Sequence, residues 1–202
     1  MPLNLSSGEF TPHIRWMAST SSWKISTEDG QEPLTWQHAI FDLAGIRTGW
    51  AIFAEGEAPQ WEMDASLTHR APRPADGGEW KRGFKLNVFS ESAFGGIREF
   101  ATTATGAGKG IEELYRDYEA EAPQHPGKVP VVQFDGATHV KIGKGSTSVP
   151  KFNIVDWRDR PAELPLETAP SPTQTKFRDH QAPLGNEAAV HADPDDPIPI
   201  NL

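Results

Sequence analysis

The sequence contains no cysteine, which excludes disulfide frameworks, thiolate nucleophiles and zinc sites built on cysteine. Small secreted domains often depend on disulfides, so this absence favours a reducing compartment. Long apolar runs are also missing, since no segment approaches the roughly 20 apolar residues of a membrane-spanning helix. The first residues lack the basic and apolar regions of a signal peptide. We therefore expect a cytoplasmic protein, in a bacterium or an infected host cell, without membrane partners.

Signatures of catalysis are missing as well. The seven histidines show neither His-x-His nor His-x-x-x-His spacing, so the sequence predicts no metal site and no other cofactor. No pair of carboxylates stands out as an acid/base couple, and there is no Gly-x-Ser-x-Gly nucleophile elbow. The glycine-rich segment 106–110 lacks two residues that a phosphate loop requires, and we interpret it as a flexible entry to a helix. An enzyme therefore has no positive support, and we predict no catalytic residues.

Glycine and proline are abundant, at 18 each in 202 residues, which favours short strands joined by many turns. The clearest strand is 83–90, where Phe84, Leu86 and Val88 fall on one face and the intervening residues on the other. Residues 12–17 and 22–26 predict an N-terminal hairpin. Further strands are predicted at 36–43, 48–54, 96–102, 129–134, 139–142 and 151–157, with a long structureless connection over 55–80.

One helix is predicted over 110–121. Ile111, Leu114, Tyr115 and Tyr118 recur at helical spacing and predict a buried stripe, and the segment ends at a proline. The helix falls between the third and fourth of the strands near 48, 83, 97, 129 and 151. This order is typical of a mainly β fold, an OB-type Greek-key barrel, with the N-terminal hairpin as an elaboration. A plain β-sandwich stays open as the alternative.

The composition changes at Pro161, after which prolines recur and the apolar residues lose their period. Residues 161–202 hold seven carboxylates and two bases, so the segment contributes −5 to a net charge of −9. Such a segment cannot bury enough surface to fold. We predict a domain over 1–160 followed by a disordered, proline-rich acidic tail over 161–202. Residues 80–152 carry ten Lys/Arg and eight Asp/Glu, a mildly basic balance that permits nucleic-acid binding.

The last ten residues, 193–202, read Asp-Pro-Asp-Asp-Pro-Ile-Pro-Ile-Asn-Leu. They resemble the acidic tip of bacterial single-stranded DNA-binding proteins, which end in aspartates, Ile-Pro and a large apolar residue; Pro197 and Asn201-Leu202 depart from that pattern. The resemblance implies that the tip recruits replication and repair proteins. An apolar plug flanked by charges can dock in a pocket rimmed with cations, whereas the alternative is a solubilising tail. The predicted partner-binding residues are Asp193, Asp195, Asp196, Ile198, Pro199 and Ile200.

Aromatic and basic residues alternate along two predicted strands, one entered through Trp80-Lys81-Arg82 and the other at 151–157. In the second strand, Phe152 and Ile154 are predicted to face inward, and Lys151, Asn153 and Trp157 outward. Cations follow phosphates and aromatic rings stack on bases in proteins that bind single strands, although such rings are more often part of a core. The predicted DNA-binding residues are Trp80, Lys81, Arg82, Lys85, Asn87, Phe89, Arg98, Lys141, Lys144, Lys151 and Trp157.

Segments 81–89, 94–96 and 156–161 are similar to a group of phage-encoded proteins with a presumed single-strand-binding role. The sequence therefore predicts a protein that binds single-stranded DNA without strong sequence preference and performs no chemistry. The sequence also permits a homo-oligomer. The alternative is a structural or interaction protein of a virion, built on a β-sandwich with a flexible arm. That alternative does not account for the acidic Ile-Pro tip. A small hydrolase is a third possibility, and it lacks a nucleophile.

Overall fold

The computed structural model of the chain describes residues 12–53, 59–143 and 145–164. Most of these residues are in strands. The strands are β1 (His13–Met17), β2 (Ser22–Thr27), β3 (Gly30–Leu34), β4 (His38–Phe41), β5 (Arg47–Ile52), β6 (Gln60–Met63), β7 (Lys81–Ser90), β8 (Gly96–Thr102), β9 (Lys128–Ile142) and β10 (Gly145–Asp159). The helices are α1 (Glu91–Phe94) and α2 (Thr105–Glu121), and short 3-10 turns cover Leu43–Gly45 and Ala122–Gln124.

All ten strands belong to one open, mixed sheet with the order β10-β9-β4-β7-β8-β1-β2-β3. The 3-10 turn at Leu43–Gly45 separates β4 from β5, and both of these strands pair with β7. β5 pairs with the first half of β7, and β4 pairs with its end. β6 adds to the free side of β5. Neighbouring strands are antiparallel except β8 and β1, which are parallel. The predicted mainly β class and the N-terminal hairpin, β1 with β2, are confirmed.

The core lies between one face of the curled sheet and helix α2. Its centre is aromatic: Trp16, Trp23 and Trp36 are each buried and contact one another or the neighbouring phenylalanines. The Trp16 indole N–H donates a hydrogen bond of 3.1 Å to the carbonyl oxygen of Ser148. This bond joins β1 to β10, which are far apart in the strand order. The sheet is therefore curled, so that these two strands meet around the core.

Helix α2 begins five residues before the predicted start. Gly106 and Gly110 are buried within it. A Cβ on Gly106 would lie 2.3 Å from the Ser148 carbonyl oxygen, and a Cβ on Gly110 would lie 2.5 Å from the Pro150 carbonyl oxygen. The interpretation of 106–110 as a flexible entry is therefore wrong. The glycines let the helix backbone approach β10 closely, and burial offsets their helix cost of about 1 kcal/mol each. The predicted stripe is confirmed for Ile111 and Leu114, which are buried, whereas Tyr115 and Tyr118 are partly buried and pack against the core.

Several connections differ from their predictions. The segment 55–80 is not structureless, because it contains β6 and an isolated bridge between Ser66 and His69. The two strands predicted at 129–134 and 139–142 are one continuous strand, β9. Strand β3 was not predicted. Strand β8 has its predicted bounds and β7 begins two residues before its predicted start, with α1 between the two strands.

Residues 165–202, which hold most of the predicted disordered tail, lie outside the described residues. The described chain continues past β10 to Leu164, whose side chain is 2% exposed. Its amide donates to the carbonyl oxygen of Pro161. Within the described part, no helix is long and apolar enough to cross a bilayer.

Candidate nucleic-acid interface

The two faces of the sheet differ in what covers them. Phe84, Leu86 and Val88 point into the core, as predicted, and α2 packs on that side. The opposite face, called the outer face below, carries the alternating residues of β7 that begin with Lys81 and end with Phe89. Because residues directly opposite on paired strands share a face, the register extends the outer face to both neighbouring strands.

On the outer face, a cation lies over an aromatic ring. The Lys85 ammonium is 5.0 Å from the centroid of the Trp61 ring, and Phe53 meets that ring edge-on at 6.1 Å. The ring lies against Gly83, where a Cβ would come within 3.0 Å of it. Phe53 is 51% exposed and Lys81 is exposed beside it. These four side chains, Phe53, Trp61, Lys81 and Lys85, form what we call the outer-face cluster.

The outer face continues from this cluster across β8 to β1 and β2. Asn87 lies opposite Glu99, and Glu99 lies beside His13. Two residues further along β1, Arg15 lies directly opposite Lys24. The Lys85 ammonium also forms a salt bridge of 3.3 Å with Glu99. The outer face is therefore a mixed but mainly cationic surface, with the exposed Phe53 ring and the half-buried Trp61 ring at one end.

A second cluster, the Trp50 cluster, lies on the core-side face of the same three strands. The guanidinium carbons of Arg70, Arg82 and Arg73 lie 5.0, 5.3 and 5.9 Å from the centroid of the Trp50 ring. The indole N–H donates a 3.0 Å hydrogen bond to the carbonyl oxygen of Ala71. Each such cation–π contact stabilises by about 0.5–1 kcal/mol at an exposed site, so Trp50 holds the three arginines together.

Asp64 fixes the loop that carries Arg70 and Arg73. Its carboxylate, which is buried, accepts two hydrogen bonds from the Arg82 guanidinium, one from the Thr48 hydroxyl and one from the backbone N–H of Ala71 at 2.8 Å. The hydrogen bonds from Arg82 hold the pKa of Asp64 well below its usual range, against the opposing effect of burial. Asp64 is thus ionised at neutral pH and ties residues 64–71 to β5 and β7.

The structure separates the predicted DNA-binding residues into several groups. Lys81, Lys85, Asn87 and Phe89 share the outer face. Arg82 lies on the opposite face, where it is paired with Asp64.

Two predicted residues are occupied with contacts inside the protein. Trp80 is buried, and its indole N–H donates to the Asp76 carboxylate at 2.7 Å, so its ring is not available to bases. Arg98 lies opposite Val88 on the core-side face, and its guanidinium donates to the carbonyl oxygen of Ile97.

Trp157 does not face outward as predicted. A register shift between Ile154 and Asp156 reverses the alternation of β10. The ring therefore stacks on His125 at 4.6 Å and on Tyr118 at 5.8 Å, beside helix α2. Strand alternation predicts the face of a residue only while the pairing is uninterrupted.

The other predicted residues are peripheral or undescribed. Lys141 is exposed at the tip of the β9–β10 hairpin, and Lys151 is exposed further along β10. Lys144 and all six predicted partner-binding residues of the C-terminal tip lie outside the described residues.

Phe53, Trp61, Trp50 and the arginines at 70 and 73 were not predicted as site residues. Trp50 and Phe53 belong to a predicted strand, but their alternation with small residues resembles that of any half-buried strand. Trp61 and both arginines belong to the segment predicted as a connection. Their convergence depends on the pairing of β5 with β6 and β7, which the spacing of the residues does not indicate.

A groove of about 350 Å³ lies between α2 and the start of β7. Its walls are apolar, with Ile46, Phe84 and Ile111 among them, and Arg82 and Tyr115 also line it. Burial is the main cause of the raised pKa of Tyr115, so its hydroxyl is neutral at physiological pH. Among the described residues, no group of three His, Asp or Glu side chains could hold a metal ion.

Comparison of the chain with protein-family models, curated proteins and solved structures gave no match. The fold and the two clusters are therefore the basis for assigning a function.

Proposed function

We propose that this protein binds single-stranded DNA without strong sequence preference, in replication, recombination or repair. The observation that carries the proposal is the outer-face cluster, in which Lys85 lies 5.0 Å from the Trp61 ring and Phe53 is 51% exposed beside it. Single-strand binders combine cations that follow the backbone with rings on which bases stack. Both kinds of group are present here on one sheet face that α2 does not cover.

The topology supports an OB-like interpretation of the fold. A Greek key has the spatial order 4-1-2-3. Here β4 and β5 together form one interrupted first strand, β7 is the second strand, β8 the third and β9 the fourth. The observed order β9, β4 with β5, β7, β8 then corresponds to a Greek key. β10 follows as the fifth strand, and α2 lies between the third and the fourth. Strand β1 pairs with β8 at the edge where a closing strand would lie in a complete barrel.

This correspondence directs attention to one surface. OB folds bind oligonucleotides on the face of the second and third strands and on the loops that join strands 1–2 and 4–5. The equivalent parts of this chain are the outer face of β7 and β8, the connection that contains β6, and the hairpin between β9 and β10. The outer-face cluster lies on the first two, and Lys141 lies on the third.

The proposed mechanism is electrostatic tracking with base stacking. Lys81, Lys85, Arg15 and Lys24 attract phosphates, and Trp61 with Phe53 provides stacking surfaces of about 1–3 kcal/mol per base. Each phosphate contact releases a counterion, so the logarithm of affinity should fall by about 0.7 per logarithmic unit of salt for each contact. The acidic tip at 193–202 would then recruit replication and repair proteins in the cytoplasm of a bacterium or an infected cell.

The test is fluorescence anisotropy with labelled oligo-dT and a duplex of the same length, over a range of salt concentrations. The full chain is expected to bind the single strand much more tightly than the duplex, with a steep loss in salt. A chain ending at Leu164 should keep this binding, because it retains every described strand. If neither nucleic acid binds at low salt, the proposal is wrong; assembly into large particles without DNA would then favour the virion protein.

A further inference from the structure

The Trp50 cluster and the outer-face cluster lie back to back on the same three strands. Trp50 is opposite Glu62 and Arg82 in the register, and the next residue, Ala51, is opposite Trp61 and Lys81. Adjacent residues of a strand point to opposite faces, so the two indole rings lie on either side of the β5–β6 pair. Within the described part of the chain, β6 pairs only with β5 and thus forms the edge between the two faces.

The arginines of the Trp50 cluster differ in what neutralises them. Asp64 binds Arg82 with two hydrogen bonds. Arg70 and Arg73 are exposed, and neither has a carboxylate partner among the described residues. Arg73 makes a 3.5 Å contact to the carbonyl oxygen of Gly78. Two guanidinium groups are therefore held together by one ring while their charges remain available.

The chemistry of this cluster suits phosphates rather than bases. Guanidinium groups are close to the Trp50 ring and its N–H is bonded to Ala71, so the ring is a support for the arginines and not a stacking platform. Planar guanidinium groups bind phosphate oxygens through paired hydrogen bonds. Glu62 is exposed on the same face. Counting Glu62 and Asp64, the Trp50 cluster has two carboxylates for three guanidinium groups, so its net charge is positive.

We propose that Arg70 and Arg73 form a phosphate clamp for the same single strand after it has passed round the β6 edge. This inference rests on the proposed function. The strand would stack on Trp61 and Phe53 on the outer face, bend round β6, and place its phosphates on the two arginines. Asp64 and Trp50 are positioning residues that hold the clamp in place.

The test compares the wild-type chain with the double variant Arg70→Ala/Arg73→Ala, using oligo-dT of about 4 to 16 nucleotides, the range of site sizes known for one OB fold. Short oligonucleotides should bind both proteins equally, because they fill only the outer face. For long ones the variant should bind more weakly, and its salt slope should be smaller by about 1.4, which is two phosphate contacts at about 0.7 each.

A matched control removes two exposed cations from another surface, as Arg116→Ala/Lys128→Ala. It should leave the slope unchanged at every length. The variant Glu62→Gln provides a test of opposite sign, since loss of a carboxylate beside the clamp should tighten the binding of long oligonucleotides alone. Circular dichroism of each variant establishes that it is folded.

The outcomes separate the two proposals. If the wild-type chain does not bind oligo-dT at any length, the proposed function fails. If it binds and Arg70→Ala/Arg73→Ala has the wild-type slope at every length, the clamp is wrong and the outer-face interface stands. An equal loss at all lengths would also overturn the path round β6, because the arginines would then belong to the first contact.

Discussion

Arg160 and Asp42 form a two-pronged ion pair that joins the end of β10 to the 3-10 turn between β4 and β5. The Arg160 Nη2 lies 2.6 Å from Asp42 Oδ1, and Nη1 lies 3.0 Å from Oδ2. The Asp42 side chain is 1% exposed. Hydrogen bonding to Asp42 raises the pKa of Arg160 above its ordinary value. This pair holds the last strand to the turn that lets β4 and β5 both pair with β7.

Arg160→Ala should therefore destabilise the protein by about 3 kcal/mol, because it leaves a buried carboxylate without its partner. Urea unfolding at pH 7 measures the loss. The control is Arg158→Ala, whose partner Asp156 is 53% exposed in a pair that water screens; that change should cost less than about 1 kcal/mol. Equal losses in the two variants would mean that the buried pair has no special role.

Trp61→Ala should weaken binding to oligo-dT by about 1–3 kcal/mol, the range for loss of one stacking ring. Anisotropy titration at low salt measures the change. Trp157→Ala is the matched control, because its ring stacks on His125 and Tyr118 beside α2 and should not affect the affinity. A loss with Trp157→Ala and none with Trp61→Ala would move the interface to the helix side of β10.

Asp64 should make the stability depend on pH in acid. Its pKa in the folded protein is held below the unfolded value, so its stabilising effect is complete above about pH 4 and declines as the pH falls towards the folded pKa. Asp64→Asn should lower the free energy of unfolding by about 2 kcal/mol at pH 7, since it weakens hydrogen bonds to a charged group. It should also flatten the acid limb, which is the part of the stability curve where the free energy of unfolding declines as the pH falls. Urea unfolding between neutral pH and pH 3 measures both effects.

The control for this variant is Asp135→Asn, which removes an exposed carboxylate from β9. It should alter neither the stability at neutral pH nor the acid limb. An unchanged acid limb in Asp64→Asn would show that other carboxylates determine the acid sensitivity. Because Asp64 also positions Arg70, the same variant should weaken the binding of long oligonucleotides.

Local patterns in the sequence account for much of the fold. β7 could be predicted because apolar and polar residues alternate along it, and α2 because Ile111 and Leu114 fall at helical spacing. β3 could not, because Gly30–Leu34 has almost no apolar residues and is a strand through its pairing with β2. β6 was missed for another reason: its residues alternate between polar and apolar, but Gln60–Met63 is only four residues long and lies within an acidic and proline-rich connection.

The candidate site was harder to predict than the fold. The position of Lys85 follows from the alternation of β7, but its aromatic neighbour Trp61 reaches it only through the pairing of β5 with β6. The Trp50 cluster joins residues that are up to 32 positions apart, so no short motif could indicate it. Trp157 shows the opposite failure, in which a local pattern gave the wrong face because a bulge interrupts the pairing.

Two of the three glycines of α2, Gly108 and Gly110, give a last test, since the same substitution should have opposite effects on one helix. At Gly108 a Cβ would meet nothing within 4 Å, so Gly108→Ala should stabilise the protein by up to about 1 kcal/mol through helix propensity. At Gly110 a Cβ would lie 2.5 Å from the Pro150 carbonyl oxygen, so Gly110→Ala must push the helix away from β10 at a cost of about 1–3 kcal/mol. Thermal unfolding measures both changes. If both variants are stabilised, α2 does not pack against β10 as closely as described, and the glycine-rich segment would have to be explained in another way.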